Sequence, residues 1–189
     1  MKKKIYIADL THTATGLTSI TFPLGTAFIT SYARHIFNDS FEFKIFKFHD
    51  RLTQAIDEMA PCVLALSNYT WNLEIGYKLS SWAKRRNPNL IVVFGGPNFP
   101  IGNDEQADFL RKYNFIDFYV EGEGEKSFVS LYSELEKIDF NINTFKDNNT
   151  IVPNVRYLHK DKLNTSEQYK REKDLSDYPS FYLDGMADK

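Results

Sequence analysis

Four short segments with the residue types that bind ligands each follow an apolar stretch of this chain. They are Asp9-Leu10-Thr11-His12 with Gly16, Ser67-Asn68-Tyr69, Gly95-Gly96-Pro97 and Glu121-Gly122-Glu123. Hydroxyl, amide and carboxylate side chains can hydrogen-bond a polar ligand, and glycines let a bulky group come close to the backbone. In an open parallel sheet such loops gather at the carboxyl ends of the strands, where ligands bind. The residues therefore predict one binding site at one edge of a sheet.

The elements that would position these loops alternate between strand and helix. Apolar runs rich in β-branched and aromatic residues predict five strands, at 4–9, 41–48, 62–67, 90–95 and 115–120. Apolar residues at helical spacing predict helices between and after them, at 23–37, 50–59, 75–86, 104–112 and 124–137. This order predicts an α/β fold: a doubly wound five-stranded parallel sheet, Rossmann-like and flavodoxin-like, with right-handed crossovers.

The pattern changes after residue 137, where we expect the α/β domain to end. Residues 138–163 read as a connector that contains a small β-hairpin, with Val152–His159 and Leu163 turning near residues 160–162. Residues 164–189 are polar and charged with scattered apolar positions, which is typical of a chain that buries little surface by itself. We interpret them as a linker towards another domain.

Composition excludes several classes of partner. The chain has 189 residues and a net charge of −2, without the basic excess that binding to nucleic acid requires. No stretch approaches the ~18 apolar residues of a membrane span. The single cysteine, Cys62, lies in an apolar run and is expected to act as a small hydrophobic residue. With no disulfide possible within the chain, we expect a cytoplasmic location.

The loops also exclude some ligand classes. The dinucleotide fingerprint needs three glycines after the first strand, whereas this loop offers only Gly16. A phosphate-binding loop needs Gly-Lys-Ser/Thr, which does not occur, and a phospho-receiver needs an aspartate where Ser67 and Asn68 stand. The first loop, from Asp9 to Phe22, is longer than a usual βα turn and rich in hydroxyl groups. It suits a lid over a large polar ligand, and a plain surface loop is the alternative.

The chain resembles the N-terminal cobalamin-binding domain of B12-dependent radical S-adenosylmethionine (SAM) proteins. The resemblance covers essentially the whole chain, and these segments are the part that carries it. Cobalamin-binding domains have Asp-x-His-x-x-Gly after the first strand, Ser-x-Leu after the third and Gly-Gly after the fourth. This chain has Ser67-x-Tyr69 and Gly95-Gly96, and the segments 121–125 and 174–179 are similar to those preceding the radical core. The resemblance implies that cobalamin binds to thirteen candidate residues in these segments: Asp9, Thr11, His12, Gly16, Ser67, Asn68, Tyr69, Gly95, Gly96, Pro97, Glu121, Gly122 and Glu123.

The first loop departs from the family pattern. Thr11 stands where the family's cobalt-ligating histidine would be, His12 is displaced by one residue, and the spacing to Gly16 is longer. We therefore expect that no histidine ligates cobalt and that the chain provides no metal ligand. A rearranged loop that brings His12 to the cobalt stays open as the alternative.

The resemblance implies a cobalamin-binding module of a larger radical SAM enzyme, with methyl transfer as one candidate reaction. The 4Fe-4S cluster of such an enzyme needs three cysteines, spaced Cys-x-x-x-Cys-x-x-Cys, and this chain has one. The cluster and SAM would then belong to a downstream radical core domain, and this chain would not be catalytic by itself. Two alternatives stay open: a degenerate docking domain without cofactor, and a nucleotide-binding α/β domain.

Overall fold

Strands and helices alternate through most of the chain, of which the structure, a computed structural model, describes residues 2–12, 22–38 and 40–183. The strands are β1 Lys3–Ala8, β2 Phe41–Phe46, β3 Val63–Ser67, β4 Ile91–Gly95, β5 Phe118–Val120, β6 Val155–His159 and β7 Lys162–Asn164. The helices are α1 Leu24–Phe37, α2 His49–Glu58, α3 Leu73–Arg86, α4 Asn103–Lys112, α5 Gly124–Lys137 and α6 Ile142–Asp147.

The sheet has the strand order β2-β1-β3-β4-β5-β6-β7. The first five strands are parallel, with Ile7 opposite Ala65 and Ser67 opposite Gly95. This is the flavodoxin-like order, in which the chain changes direction across the sheet beside β1 and leaves a crevice at the carboxyl ends of β1 and β3. The predicted doubly wound parallel sheet is confirmed.

The predicted five-stranded sheet is corrected to seven strands by the hairpin. β6 pairs antiparallel with β5, with Val155 opposite Val120, and β7 pairs antiparallel with β6. An antiparallel strand at the end of a parallel sheet is common because it covers the otherwise open edge. The predicted connector also contains the short helix α6, whose Phe145 is fully buried.

The two faces of the sheet bury separate cores because side chains along a strand alternate between the faces. One core joins β-strand residues such as Ile5 and Val93 to helices α1, α5 and α6. The other joins Tyr6 and Phe94 to helices α2, α3 and α4. Strand β4 is buried on both sides, which explains its continuous apolar sequence. Among the described residues, no helix is long and apolar enough to cross a membrane.

Cys62 packs against the first of these cores, just before β3. Its thiol donates a hydrogen bond to the Lys4 carbonyl at 3.2 Å. Burial raises the pKa of the thiol to about 11, so it stays protonated at neutral pH and is a poor nucleophile.

The segment after the hairpin makes more contacts than its composition predicted. Phe181 is fully buried, and its ring packs on Phe22 and Phe28 at centroid distances of 5.0 and 5.3 Å. Tyr178 stacks on Tyr32 of α1 at 4.8 Å. We expected this segment to bury little surface by itself, and the aromatic side chains spaced along it bury their surface against α1. Residues 184–189 of the predicted linker lie outside the described residues, and a connection to a downstream domain stays a prediction.

Candidate functional site

A cleft of about 350 Å³ lies between the sheet and helices α1 and α5, at the carboxyl ends of β1, β3, β4 and β5. Its floor includes Ile7, Ala65, Val93, Gly95 and Val120 from the strands. Its walls include Gly25, Thr26 and Ile29 from α1, and Gly124, Glu125 and Phe128 from α5. The floor residues lie on one face of neighbouring strands, so the register of the strands determines which side chains form the floor. The predicted position of the site, at the carboxyl edge, coincides with this cleft.

Small residues keep the cleft open. Ala65 and Gly95 contribute little volume to the floor, and Gly25 lies in the first turn of α1. A Cβ atom added at Gly25 would meet no heavy atom within 4 Å. The cleft therefore has room for a flat apolar group between the sheet and helix α1.

The mouth of the cleft contains a network of Asp9, Ser67 and Asn72. The Ser67 hydroxyl donates to Asp9 Oδ1 at 2.5 Å, and Asn72 Nδ2 donates to the same carboxylate oxygen at 3.2 Å and to Ser67 Oγ at 3.1 Å. Asn72 also accepts a hydrogen bond from the Tyr69 amide through Oδ1, at 2.8 Å. Asn72 was not among the residues predicted from the sequence.

Asn68 holds two loops together and does not line the cleft. Its side-chain nitrogen donates to the Asn98 carbonyl at 2.7 Å and to the Tyr119 hydroxyl at 3.0 Å. The Tyr119 hydroxyl in turn donates to the Gly96 carbonyl at 2.9 Å. Asn68 is fully buried, and the hydrogen bonds of its carboxamide connect the loop after β3 to the loop after β4.

The two glycines after β4 have different roles. Gly95 is on the cleft floor, and a Cβ there would lie 3.3 Å from the Val120 carbonyl oxygen. Gly96 has φ +127°, and a Cβ there would lie 2.7 Å from the Asn68 carbonyl oxygen. The backbone conformation at position 96 therefore requires glycine, whether or not a ligand is bound. Gly96 and Pro97 also line the cleft.

In the loop after β5, one residue forms a buried ion pair and the next two line the cleft. Glu121 forms a buried ion pair with Arg156, 2.8 Å from carboxylate oxygen to Nε, and does not line the cleft. Gly122, with φ +61°, and Glu123 do line it. Glu123 accepts a hydrogen bond from Arg171 Nε at 3.0 Å.

Glu125 brings a carboxyl group into the cleft wall at the start of α5. Burial raises the pKa of this carboxyl, and the nearby Glu123 carboxylate raises it further. A second acidic group beside Glu123 makes this part of the cleft unsuitable for a phosphate and better suited to a neutral hydrogen-bond donor. Glu125 was not among the candidate residues predicted from the sequence.

His12 lies beside the loop after β3. Its Nε2 atom is 2.6 Å from the Trp71 carbonyl oxygen, and the Trp71 ring stacks on Tyr69 at 4.5 Å. Tyr69 lines the cleft, whereas Thr11 and His12 do not, and Gly16 lies outside the described residues. Within the ranges 2–12, 22–38 and 40–183, no group of three or more His, Cys, Asp or Glu side chains could hold a metal ion.

Comparison with known proteins gives one family match. The model of the family described as "B12 binding domain" matches residues 17–132. The chain is 34% identical over 142 residues to a cobalamin-dependent radical SAM methyltransferase, TokK, of Streptomyces tokunonensis. It is 33% identical over 144 residues to the 2-(S-pantetheinyl)-carbapenam-3-carboxylate methyltransferase of Streptantibioticus cattleyicolor. Each alignment covers 72% of this chain, and the chain spans 19% of the length of these relatives.

Solved structures share the fold. The cobalamin-dependent radical SAM enzyme OxsB, with aqua-cobalamin and SAM bound, superimposes with a TM-score of 0.66 at 13% identity. That match covers 98% of this chain and 25% of OxsB. A cobalamin-binding protein from Desulfitobacterium hafniense gives a TM-score of 0.50 at 16% identity, covering 70% of this chain and 58% of that protein.

Proposed function

This chain belongs to the B12-binding domain family, and on that premise we propose that it binds cobalamin across the carboxyl edge of its sheet. The nucleotide tail of the cofactor enters the cleft beside Ser67 and Gly95-Gly96. The observation that carries this proposal is the open cleft between the sheet and helices α1 and α5. Its apolar floor and the unfilled space at Gly25 fit a flat aromatic base. A nucleoside di- or triphosphate would need several cationic donors, whereas the described lining residues include Glu123 and Glu125 and no Lys or Arg. The single phosphodiester of the cobalamin tail would lie away from these two carboxyl groups.

The proposed contacts are the candidate residues that line the cleft. They are Asp9, Ser67, Tyr69, Gly95, Gly96, Pro97, Gly122 and Glu123. The backbone at the glycines allows close approach, and the hydrogen-bonded pair of Asp9 and Ser67 presents oxygen atoms at the mouth. Thr11, His12, Asn68 and Glu121 do not line the cleft. Asn68 and Glu121 hold the loops in place through a hydrogen bond and an ion pair.

In this proposal the chain is one module of a larger radical SAM methyltransferase. When bound, cobalamin supplies a cobalt centre that can carry a methyl group. The residues of this chain bind and orient the cofactor and exclude water from its tail. The 4Fe-4S cluster and SAM belong to a downstream core domain, since this chain has a single cysteine. Its length relative to its relatives supports this arrangement.

The test is retention of cobalamin. The purified chain is incubated with hydroxocobalamin and desalted, and the absorption spectrum of the protein fraction is recorded. We expect about one equivalent of corrinoid on the wild type and on Gly25→Ala. We expect little on Gly25→Leu, because the leucine side chain fills the space that the tail would occupy.

A folded wild type that elutes without corrinoid would contradict the proposal and favour the docking domain. Retention of a purine nucleotide in place of corrinoid, measured in the same way with ATP and NAD, would favour the nucleotide-binding alternative. Circular dichroism of each variant checks that loss of binding is not loss of fold.

A further inference from the structure

A second pocket of about 200 Å³ lies beside the cleft at the same edge of the sheet. It shares Gly96, Pro97 and Gly122 with the cleft, so one ligand lying across these three residues can reach both spaces. Its polar lining consists of Gln106, Glu121 and Gln168. None of the functions assigned above uses this pocket.

Gln106 is the unusual member of this lining. Its side chain is 3% exposed, and its Nε2 atom donates to the Pro100 carbonyl at 2.9 Å and to Glu121 Oε1 at 2.8 Å. Its Oε1 atom is buried without a hydrogen-bond partner. A buried carbonyl oxygen without a donor is uncommon in folded proteins and has to be explained. The side chain of Gln106, a residue that lines the pocket, therefore lacks one hydrogen-bond donor.

The charge of Glu121 is already neutralised. Arg156 pairs with its carboxylate at 2.8 Å, and Gln168 Nε2 donates to the second oxygen at 3.1 Å. A cationic ligand is not needed here, and an anionic ligand would meet Glu121 and the Gln106 oxygen. The group that fits is neutral and carries a hydrogen-bond donor.

We propose that this pocket receives a propionamide arm from the edge of the corrin ring, with its amide nitrogen donating to Gln106 Oε1. The inference rests on the proposed function, because it takes cobalamin to lie across the rim at Gly96. Corrin rings carry acetamide and propionamide arms, and the longer arm suits an acceptor buried below the rim. A primary carboxamide supplies the missing donor without bringing a charge.

The experiment compares cyanocobalamin with its b-, d- and e-monocarboxylic acids, in each of which one propionamide is replaced by a propionate. Affinities for the full chain are measured by equilibrium dialysis at pH 7.5. We expect one isomer to bind at least about tenfold more weakly than cyanocobalamin, and the other two to bind within about threefold of it. In Gln106→Met, cyanocobalamin binding falls and the discriminating isomer loses most of its disadvantage. Gln54→Met, on the exposed face of α2, serves as the control and keeps the wild-type pattern.

Three equally tight monoacids on the wild type would overturn the inference and leave the proposed function standing. Unchanged discrimination in folded Gln106→Met would also overturn it. Failure to bind cyanocobalamin at all would overturn the proposed function and this inference together. If Gln106→Met does not fold, the comparison of the three isomers on the wild type decides.

Discussion

The Ser67 hydroxyl donates to Asp9 Oδ1 at 2.5 Å, joining the ends of two neighbouring parallel strands. Both side chains are at the mouth of the cleft, yet each has a partner within the protein. The serine hydrogen is directed at the aspartate, so the pair presents acceptor oxygens to a ligand. The mouth of the cleft is thus shaped by the protein's own hydrogen bonds.

The first prediction concerns the coupling between these two residues. Ser67→Ala should lower the free energy of unfolding by about 1 kcal/mol, because Asp9 loses its shortest hydrogen bond. Urea denaturation of both single variants and of the double variant with Asp9→Ala measures the coupling. The two changes should be non-additive by a similar amount. Strict additivity would show that the pair contributes nothing to stability.

The second prediction contrasts two glycines that both line the cleft. Gly96→Ala should destabilise the fold by about 2–4 kcal/mol, because φ +127° and a contact of 2.7 Å with Asn68 both oppose a side chain. Gly25→Ala, in open space within α1, should stabilise it by about 0.5 kcal/mol. Chemical denaturation of the two variants gives both numbers. Equal effects would contradict the assignment of Gly96 as a backbone requirement.

The third prediction concerns the segment after the hairpin. Phe181→Ala should cost about 3 kcal/mol, because a fully buried ring is removed from its contacts with Phe22 and Phe28. Leu183→Ala, whose side chain is 89% exposed, should change stability by less than about 0.5 kcal/mol. Limited proteolysis offers a second measurement, since Phe181→Ala should make the segment a faster cleavage site. Equal cleavage rates in both variants would mean that the segment is not anchored by Phe181.

The fourth prediction is a pH dependence at the opposite edge of the sheet. Asp117 is 7% exposed and accepts from Lys84 Nζ at 2.6 Å and from the Val92 amide at 2.7 Å. Burial raises the pKa of Asp117, although Lys84 opposes the rise. A carboxyl whose folded pKa exceeds its unfolded value favours the fold at low pH, and this contribution is lost as pH rises through the folded pKa.

Lys84→Met should therefore destabilise the protein by about 3 kcal/mol at pH 7.5, because it leaves the buried Asp117 carboxylate without its cation. The loss should be smaller at pH 4, because a carboxyl group with a raised pKa takes up its proton at a higher pH than an ordinary aspartate. Urea midpoints at the two pH values test this. The double variant with Asp117→Asn should recover much of the stability at pH 7.5. A loss that is the same at both pH values would contradict the explanation.

Much of the fold could be predicted because a strand that is buried on both faces has a continuous apolar sequence. Strands β3 and β4 are such runs, and their observed bounds differ from the predicted ones by one residue at the start. The pairing of β6 with β5 could not be predicted, because the alternation of apolar and polar residues within a hairpin does not indicate which edge of a sheet the hairpin joins. The burial of Phe181 was missed because it depends on aromatic residues about 150 positions away.

The candidate site could be predicted in position more than in detail. Parallel topology places the strand ends that carry these loops at one edge, so eight of the twelve candidate residues that the structure describes line the cleft. Which side chain faces the cleft depends on strand alternation and turns. Ser67 continues the face of Ala65, while the next residue, Asn68, is directed to the opposite core. The wall from α1 could not be inferred, because Gly25 gives no sequence signal of a cavity.

The last prediction concerns His12 and cobalt. His12 Nε2 lies 2.6 Å from the Trp71 carbonyl, and His12 does not line the cleft. A ring nitrogen that donates to a carbonyl carries its proton and cannot ligate a metal through that atom. We predict that His12 is not an axial ligand of cobalamin bound to this chain.

The test compares wild type, His12→Ala and His35→Ala, an exposed histidine of α1, each loaded with cobalamin. The visible spectrum and the electron paramagnetic resonance of the cobalt(II) form should be the same in all three. Tryptophan fluorescence should change only in His12→Ala, because the histidine positions the backbone of Trp71 beside the Tyr69 ring. A nitrogen splitting that disappears in His12→Ala alone would reverse the conclusion and assign His12 to cobalt. Unchanged fluorescence with unchanged cobalt spectra would instead leave His12 without influence on the loop after β3.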